Sequence, residues 1–145
     1  MFFEFFDTAT TVRRRKISKP VPKTALTMRE RLLLEQENDL KAKAKRLLPA
    51  RLAELVQITG INYNITRDGI RLGHMRTRWG SRSSTGTISL NIGLARLPNH
   101  LIDYVIIHEL CHILHMNHSA AFWREVAKHC PKYRACRQEM RNYRP

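Results

Sequence analysis

Hydrophobic and polar positions divide the chain into two helical regions with a stretch of short alternating segments between them. The first region begins at Thr27, where the sequence TMRE has the spacing of a capping box with Glu30. It runs through RLLLEQENDLKAKAKRLL to Pro49, and ARLAELVQIT then continues the helical pattern as far as Gly60. Because proline disrupts a helix interior and glycine favours a helix end, we expect one kinked or broken helical arm.

The pattern changes to a shorter period after Gly60. The segments INYNIT, IRLGHMRTRW and TISLNI alternate apolar and polar residues, and RDG and SSTG are turn signals between them. Alternation of this kind is typical of strands with one buried face. We therefore expect a small three-stranded antiparallel meander.

The C-terminal region returns to a helical pattern. Pro98 suits the first turn of a helix, and LIDYVIIHELCHILHM keeps an apolar stripe beyond it. Asn117 suits a left-handed turn, Ser119 suits the N-cap of AAFWREVAKHC, and Pro131 suits the start of KYRACRQEMRNY. The chain is therefore predicted to be α+β, with a helical arm, a small sheet, the helix that contains HExxH and two further helices.

Domain organisation is predicted from the proline-containing stretch near the N-terminus and from the chain length. Residues 1–26 contain the basic run RRRK and the proline-containing stretch SKPVPK, which predict a loosely ordered arm. Residues 27–145 are long enough to bury one core and are predicted to form a single domain. Glu4 and Asp7 interrupt the apolar opening MFFEFF, so we expect neither a signal peptide nor a membrane anchor.

The charge balance is strongly basic. The chain has 26 Lys and Arg against 12 Asp and Glu, a net charge of +14, and a sequence pI near 10.6. Such a field favours polyanions and permits nucleic-acid contact, although a basic soluble surface has the same composition. The three cysteines have no paired spacing, which predicts reduced thiols and a cytoplasmic location.

Potential metal ligands and a potential catalytic carboxylate are concentrated in HELCHILHMNHS, residues 108–119. His108 and His112 are one helical turn apart, which places both imidazoles on one face, as a tetrahedral metal ion requires. Glu109 is offset by about 100° and so lies beside the ion, where it can take a proton from a bound water. The pattern is HExxH.

A third ligand must come from outside this pair. His115 is nearly in line with His108 but about 10.5 Å away along a straight helix, so one ion cannot easily serve both. His118 follows a predicted chain reversal and can approach from another direction. Three protein ligands leave a fourth position open to water, which is typical of catalytic zinc.

This site predicts peptide hydrolysis by a metal-activated water, with Glu109 as the general base. His115, Tyr104 and Arg78 are candidates for substrate or oxyanion contact. Other interpretations remain: histidines that only cap and pack a helix end, a basic nucleic-acid-binding module with structural or vestigial zinc, and a zinc hydrolase of non-peptide substrates. For the peptidase, TISLNI would be a fitting edge strand for an extended peptide.

Three segments, RWGSRSSTGTISLN, YVIIHELCHILHMNHSAAFW and PKYRACRQEM, resemble the YgjP-like metallopeptidase domain, a relative of the SprT-like proteases. The resemblance covers about residues 40–143. It implies a zincin-like fold and a zinc-dependent hydrolase with His108, His112 and His118 as ligands and Glu109 as the acid/base. Together with the charge, it suggests proteolysis near DNA. Arg82 stands where the family usually has cysteine, so any role of that thiol is absent.

Overall fold

The computed structural model describes residues 26–62 and 70–145, so all but the last residue of the predicted N-terminal arm lies outside the described residues. The first element is helix α1, Met28–Thr59. Its capping box is formed: the Thr27 N–H donates to the Glu30 carboxylate at 2.8 Å, and the Glu30 N–H donates to the Thr27 hydroxyl at 3.3 Å. Gly60 ends the helix in the left-handed conformation with φ 65°, as predicted.

Helix α1 continues through Pro49, so of the predicted kinked or broken arm the break does not occur. An internal proline removes one backbone hydrogen bond and costs about 3 kcal/mol. Leu48 and Leu52, on either side of it, are fully buried in the core. Tertiary packing of this apolar face outweighs the local cost and keeps one helix.

The sheet has three short strands, β1 (Ile70–Gly73), β2 (Gly80–Arg82) and β3 (Ile88–Asn91). Their spatial order is β1-β3-β2, with β3 parallel to β1 and antiparallel to β2. The predicted antiparallel meander is therefore wrong for the β1–β3 pair, although the β2–β3 hairpin forms with Gly86 in its turn. The predicted strand over 61–66 is not formed at Ile61 and Asn62, and its remainder lies outside the described residues.

Asn91 accounts for this topology. Its side-chain amide is 1% exposed and donates to the carbonyls of Met75 at 2.6 Å and Arg78 at 3.0 Å. Its backbone N–H donates to the Trp79 carbonyl at 2.9 Å, and its Oδ1 accepts from Gly93 N–H at 2.9 Å. These bonds fix the β1–β2 connection across the end of β3, which makes β3 the central strand.

A 3-10 helix, Ile92–Arg96, follows β3 and leads to helix α2, Asn99–Cys111. Nine of the thirteen residues of α2 are buried, because α1, β2 and the later helices α3 (Ala120–His129) and α4 (Tyr133–Glu139) pack around it. A last 3-10 helix covers Met140–Asn142. Within the described ranges, no helix has both the length and the apolar character needed to cross a bilayer.

Helix α2 ends at Cys111, five residues before the predicted break at Met116. The chain continues in tight turns, in which the N–H groups of Leu114 and His115 donate to the Cys111 carbonyl. The His112 carbonyl accepts instead from Arg82 Nη1 of β2 at 3.2 Å. A side chain from the sheet thus replaces the next helical turn, which the local pattern could not show.

Asn91→Ala is expected to lower the free energy of unfolding by about 2–4 kcal/mol, since two part-buried carbonyls and one N–H lose their partner. Urea denaturation at neutral pH measures this change. Asn38→Ala on the exposed face of α1 is the matched control and should change stability by less than about 0.5 kcal/mol. Equal effects of the two substitutions would contradict the role given to Asn91.

Candidate metal centre

Three imidazoles meet at the C-terminal end of α2. One nitrogen from each of His108, His112 and His118 lies within 4.8 Å of the others. The Nε2 atoms of His108 and His118 are 3.1 Å apart. The chain reversal after α2 therefore brings together the three histidines that the sequence pattern selected.

The donor set fits a tetrahedral metal ion. Two imidazole nitrogens bound to one zinc ion lie about 3.3 Å apart, close to the spacing of His108 and His118. Burial, followed by electrostatic repulsion from His112, His118 and Arg137 when these groups are charged, lowers the pKa of His108 to about 3, and burial also lowers the pKa values of His112 and His118. All three rings are therefore neutral near pH 7 and keep a lone pair for a metal.

The orientation of His112 is fixed from its other nitrogen. Its Nδ1 lies 3.0 Å from the carbonyl of His115, to which it donates, so its Nε2 is the nitrogen available to a ligand. Arg82 holds the His112 carbonyl and also contacts the Met116 sulfur at 2.9 Å. The residue that departs from the family pattern thus supports a histidine of the cluster.

Two aromatic residues of α3 form a wall of the cluster. Phe122 is fully buried, stacks on His112 with 4.5 Å between ring centroids, and meets His108 and His118 edge-on at 4.9 Å. Trp123 stacks on His118 at 5.7 Å. Ser119 places them by capping α3, with its hydroxyl accepting from Phe122 N–H at 3.3 Å. The two rings therefore pack α3 directly against the three imidazoles.

Glu109 is buried beside the imidazoles. It is 5% exposed, and burial raises its pKa to about 8, while the charge of Arg78 lowers it in part. Gly80 of β2 makes room for it, since a Cβ there would lie 2.9 Å from the Glu109 Cγ and Oε1 atoms. The close approach of strand and helix therefore depends on glycine at this position.

Polar atoms without partners collect at this site. Among the described residues, the buried side-chain nitrogen and oxygen atoms that lack a hydrogen bond are Arg82 Nε, His108 Nδ1 and Glu109 Oε2. Buried polar groups in proteins almost always have a partner, so a cluster of exceptions is typical of a functional site. Together with the neutral imidazoles, these atoms fit a site for a metal ion and water.

The candidate contact residues differ in placement. Tyr104 lies one turn before His108, with ring centroids 6.1 Å apart, and burial raises its pKa well above the usual range. Arg78 is exposed and acts electrostatically on Glu109. His115 reaches the cluster through its backbone carbonyl, and its imidazole is not part of the group that could hold a metal.

Arg137 of α4 is a neighbour of the site that the sequence pattern did not indicate. Its guanidinium lies over the Trp123 ring, 5.0 Å from the centroid. Its charge contributes to the lowered pKa values of His108 and His118. Arg137 is far from HExxH in sequence and has no spacing relation to it, so only the packing of α4 against α2 reveals the proximity.

Two solved structures are similar to this chain. One is the metallopeptidase zymogen abylysin of Pyrococcus abyssi, with 25% identity and a TM-score of 0.57, covering 66% of this chain and 94% of that one. The other is the metallopeptidase zymogen jannalysin of Methanocaldococcus jannaschii, with 24% identity and a TM-score of 0.51, covering 63% and 94%. These neighbours agree with the α+β fold.

The comparison with curated proteins finds no match. The family model of the YgjP-like metallopeptidase domain matches residues 7–143, nearly the whole chain. This match agrees with the resemblance in the sequence and with the two structural neighbours. The chain therefore belongs to the YgjP-like metallopeptidase domain family.

Proposed function

We propose that this metallopeptidase is zinc-dependent and hydrolyses peptide bonds, with His108, His112 and His118 as ligands and Glu109 as the general base. The observation that carries the proposal is the convergence of three neutral imidazoles beside a buried, unpartnered carboxylate. Nitrogen donors alone suit zinc better than the oxygen-preferring magnesium or calcium ions. Three ligands also leave a coordination position for chemistry.

When bound, zinc would supply Lewis-acid polarisation of a carbonyl and a lowered pKa for water. Glu109 would accept the proton of the attacking water and later deliver it to the leaving amine. Burial gives the Glu109 carboxyl group a higher proton affinity than an exposed glutamate has, which suits it to carry the proton between the two steps. Phe122 and Trp123 keep the imidazoles oriented through ring stacking on His112 and His118.

The sheet offers a place for an extended substrate, but not on the strand that the sequence suggested. TISLNI contains β3, which is central and has both edges paired. Strand β2 is instead an edge strand in the described part of the chain, and it contacts both Glu109 and His112 through Gly80 and Arg82. We infer that a peptide pairs with β2 and so passes the catalytic carboxylate.

Arg78 is the oxyanion or substrate contact that the geometry favours. It lies two residues before the edge strand, is exposed, and is close enough to Glu109 to affect its pKa. The raised pKa of Tyr104 keeps its hydroxyl protonated, so this residue can serve as a neutral donor from the side of α2.

Two broader expectations remain predictions. Residues 27–145 are proposed to form one domain, because α1, the sheet and α2 share a single apolar core with α3 and α4. The cytoplasmic location is inferred from free thiols: Cys111, Cys130 and Cys136 form no disulfide, and Cys111 is a core residue.

Glu109→Gln is expected to lower the turnover of a dye-labelled unfolded protein by about 10²–10⁴-fold, because the general base is lost. Zinc content, measured by mass spectrometry of the purified protein, should stay at one ion per chain, since the three imidazoles are unchanged.

Glu35→Gln, on the exposed part of α1, is the matched control and should keep full turnover. Full activity of the Glu109→Gln protein would refute the assigned role. Activity that survives removal of all zinc would refute the metal dependence.

The buried Glu109 also predicts a pH dependence of stability for the metal-free protein. Its pKa is about 8 in the folded chain against an ordinary value of 4.5, so the folded state holds more protons between these pH values. The free energy of unfolding therefore falls as pH rises through this range, and the Glu109→Gln substitution removes this effect because an amide does not titrate.

The measurement is urea denaturation of the chelator-treated wild type and Glu109→Gln protein at about pH 5 and about pH 8. The variant should gain stability relative to the wild type as pH rises. His108, whose lowered pKa acts in the opposite direction, is common to both proteins and cancels in the difference. A difference that does not change with pH would contradict the burial of the carboxyl group.

A further inference from the structure

Helices α3 and α4 and the 3-10 helix that follows them line an open surface pocket of about 540 Å³ beside the histidine cluster. Its lining combines two aromatic rings with three cations and one amide: Trp123, Tyr133, Arg134, Arg137, Gln138 and Arg141. None of these lining residues is acidic. The pocket is therefore a local concentration of positive charge with an aromatic wall.

The aromatic wall connects the pocket directly to the proposed metal ligands. Trp123 stacks on His118 with ring centroids 5.7 Å apart, and Tyr133 stacks on Trp123 at 5.4 Å. The pocket is thus separated from the cluster by a single indole ring. An extended peptide advances about 3.3 Å per residue, so a substrate at the cluster would reach the pocket within about three residues.

Two guanidinium groups of the pocket are held by rings and not by carboxylates. Arg137 lies over the Trp123 ring at 5.0 Å, and Arg134 lies over the Tyr133 ring at 5.8 Å with its Nε donating to the Tyr133 hydroxyl. Neither forms an ion pair with an acidic side chain in the ranges that the structure describes. Their planar faces are supported while N–H donors remain for a ligand.

We propose that this pocket binds a carboxylate of the peptide substrate, from an acidic side chain or from the chain terminus, within about three residues of the scissile bond. Arginine suits this role because its fork of donors matches a carboxylate in a bidentate geometry. The proposal rests on the proposed peptidase function and gives it a substrate class: peptides with a negative charge close to the cleavage point.

The shape of the charged surface favours a peptide carboxylate over nucleic acid. Sites for single-stranded nucleic acid track the backbone along an extended groove, with several bases stacked in succession. Here the arginines converge on one local, open pocket, and the Trp123 and Tyr133 rings stack on each other. One compact anionic group matches this arrangement.

The test uses the zinc-loaded full chain and three peptides of one sequence: one with Glu near the cleavage point, one with Gln there, and one with Gln and a free carboxyl terminus in place of an amide. The wild type should prefer one of the two charged peptides by about tenfold or more in kcat/KM, mainly through KM. Whichever charged peptide is preferred identifies the source of the carboxylate.

Arg137→Gln should reduce this preference ratio to about one, and the more exposed Arg134→Gln should reduce it in part, which provides a second variant should the first fold poorly. Arg96→Gln, with the same charge change on the 3-10 helix away from the pocket, is the control and should keep the ratio. Equal loss of the ratio in the Arg96 and Arg137 variants would overturn the proposal in favour of a general charge effect.

A binding measurement tests this proposal separately from the peptidase function. Fluorescence anisotropy with the labelled peptides measures affinity without cleavage, and the charged peptide should bind about tenfold more tightly, dependent on Arg137. Charge-selective binding without cleavage would refute the peptidase function alone. Cleavage without charge selectivity would refute the pocket alone. Tighter Arg137-dependent binding of a single-stranded oligonucleotide than of either charged peptide would assign the pocket to nucleic acid and overturn the proposal.

Discussion

The burial of titratable groups on α2 is the constraint on which the rest of the structure depends. Most residues of this helix are buried, and burial removes much of the water around His108 and Glu109. Desolvation disfavours charge on both, which leaves a neutral imidazole and a carboxyl group of high proton affinity side by side. Both conditions favour metal binding and proton transfer, and neither would exist on an exposed helix.

The surrounding elements bury these groups of α2 through contacts from β2 and α3. Gly80 lets strand β2 approach the Glu109 side chain, and Arg82 of the same strand holds the last turn of the helix. Asn91 fixes the connection that leads into β2. Phe122 packs against all three imidazoles from α3. The small sheet therefore mainly positions β2 against the C-terminal end of α2.

Local sequence signals predicted those features whose causes are local. The capping box at Thr27, the left-handed Gly60 and the N-cap at Ser119 all occur as expected. His108 in the last turn of α2 and His112 at its C-cap likewise keep the predicted helical spacing. Each of these depends on interactions between residues only a few positions apart.

The remaining features arise from contacts between residues distant in sequence. The strand order depends on the buried amide of Asn91, and the early end of α2 depends on Arg82, thirty residues away. The continuity of α1 through Pro49 depends on the core around its leucines. Arg137 approaches the cluster only because α4 packs against α2. Alternation and periodicity contain no information on such pairings.

The most direct test of the central claim is anomalous diffraction at the zinc edge from crystals of the zinc-loaded protein. The account predicts a single peak about 2.0–2.1 Å from one nitrogen of each of His108, His112 and His118, with no fourth protein side chain bound. A peak elsewhere, or a fourth side chain that completes the coordination sphere, would contradict it.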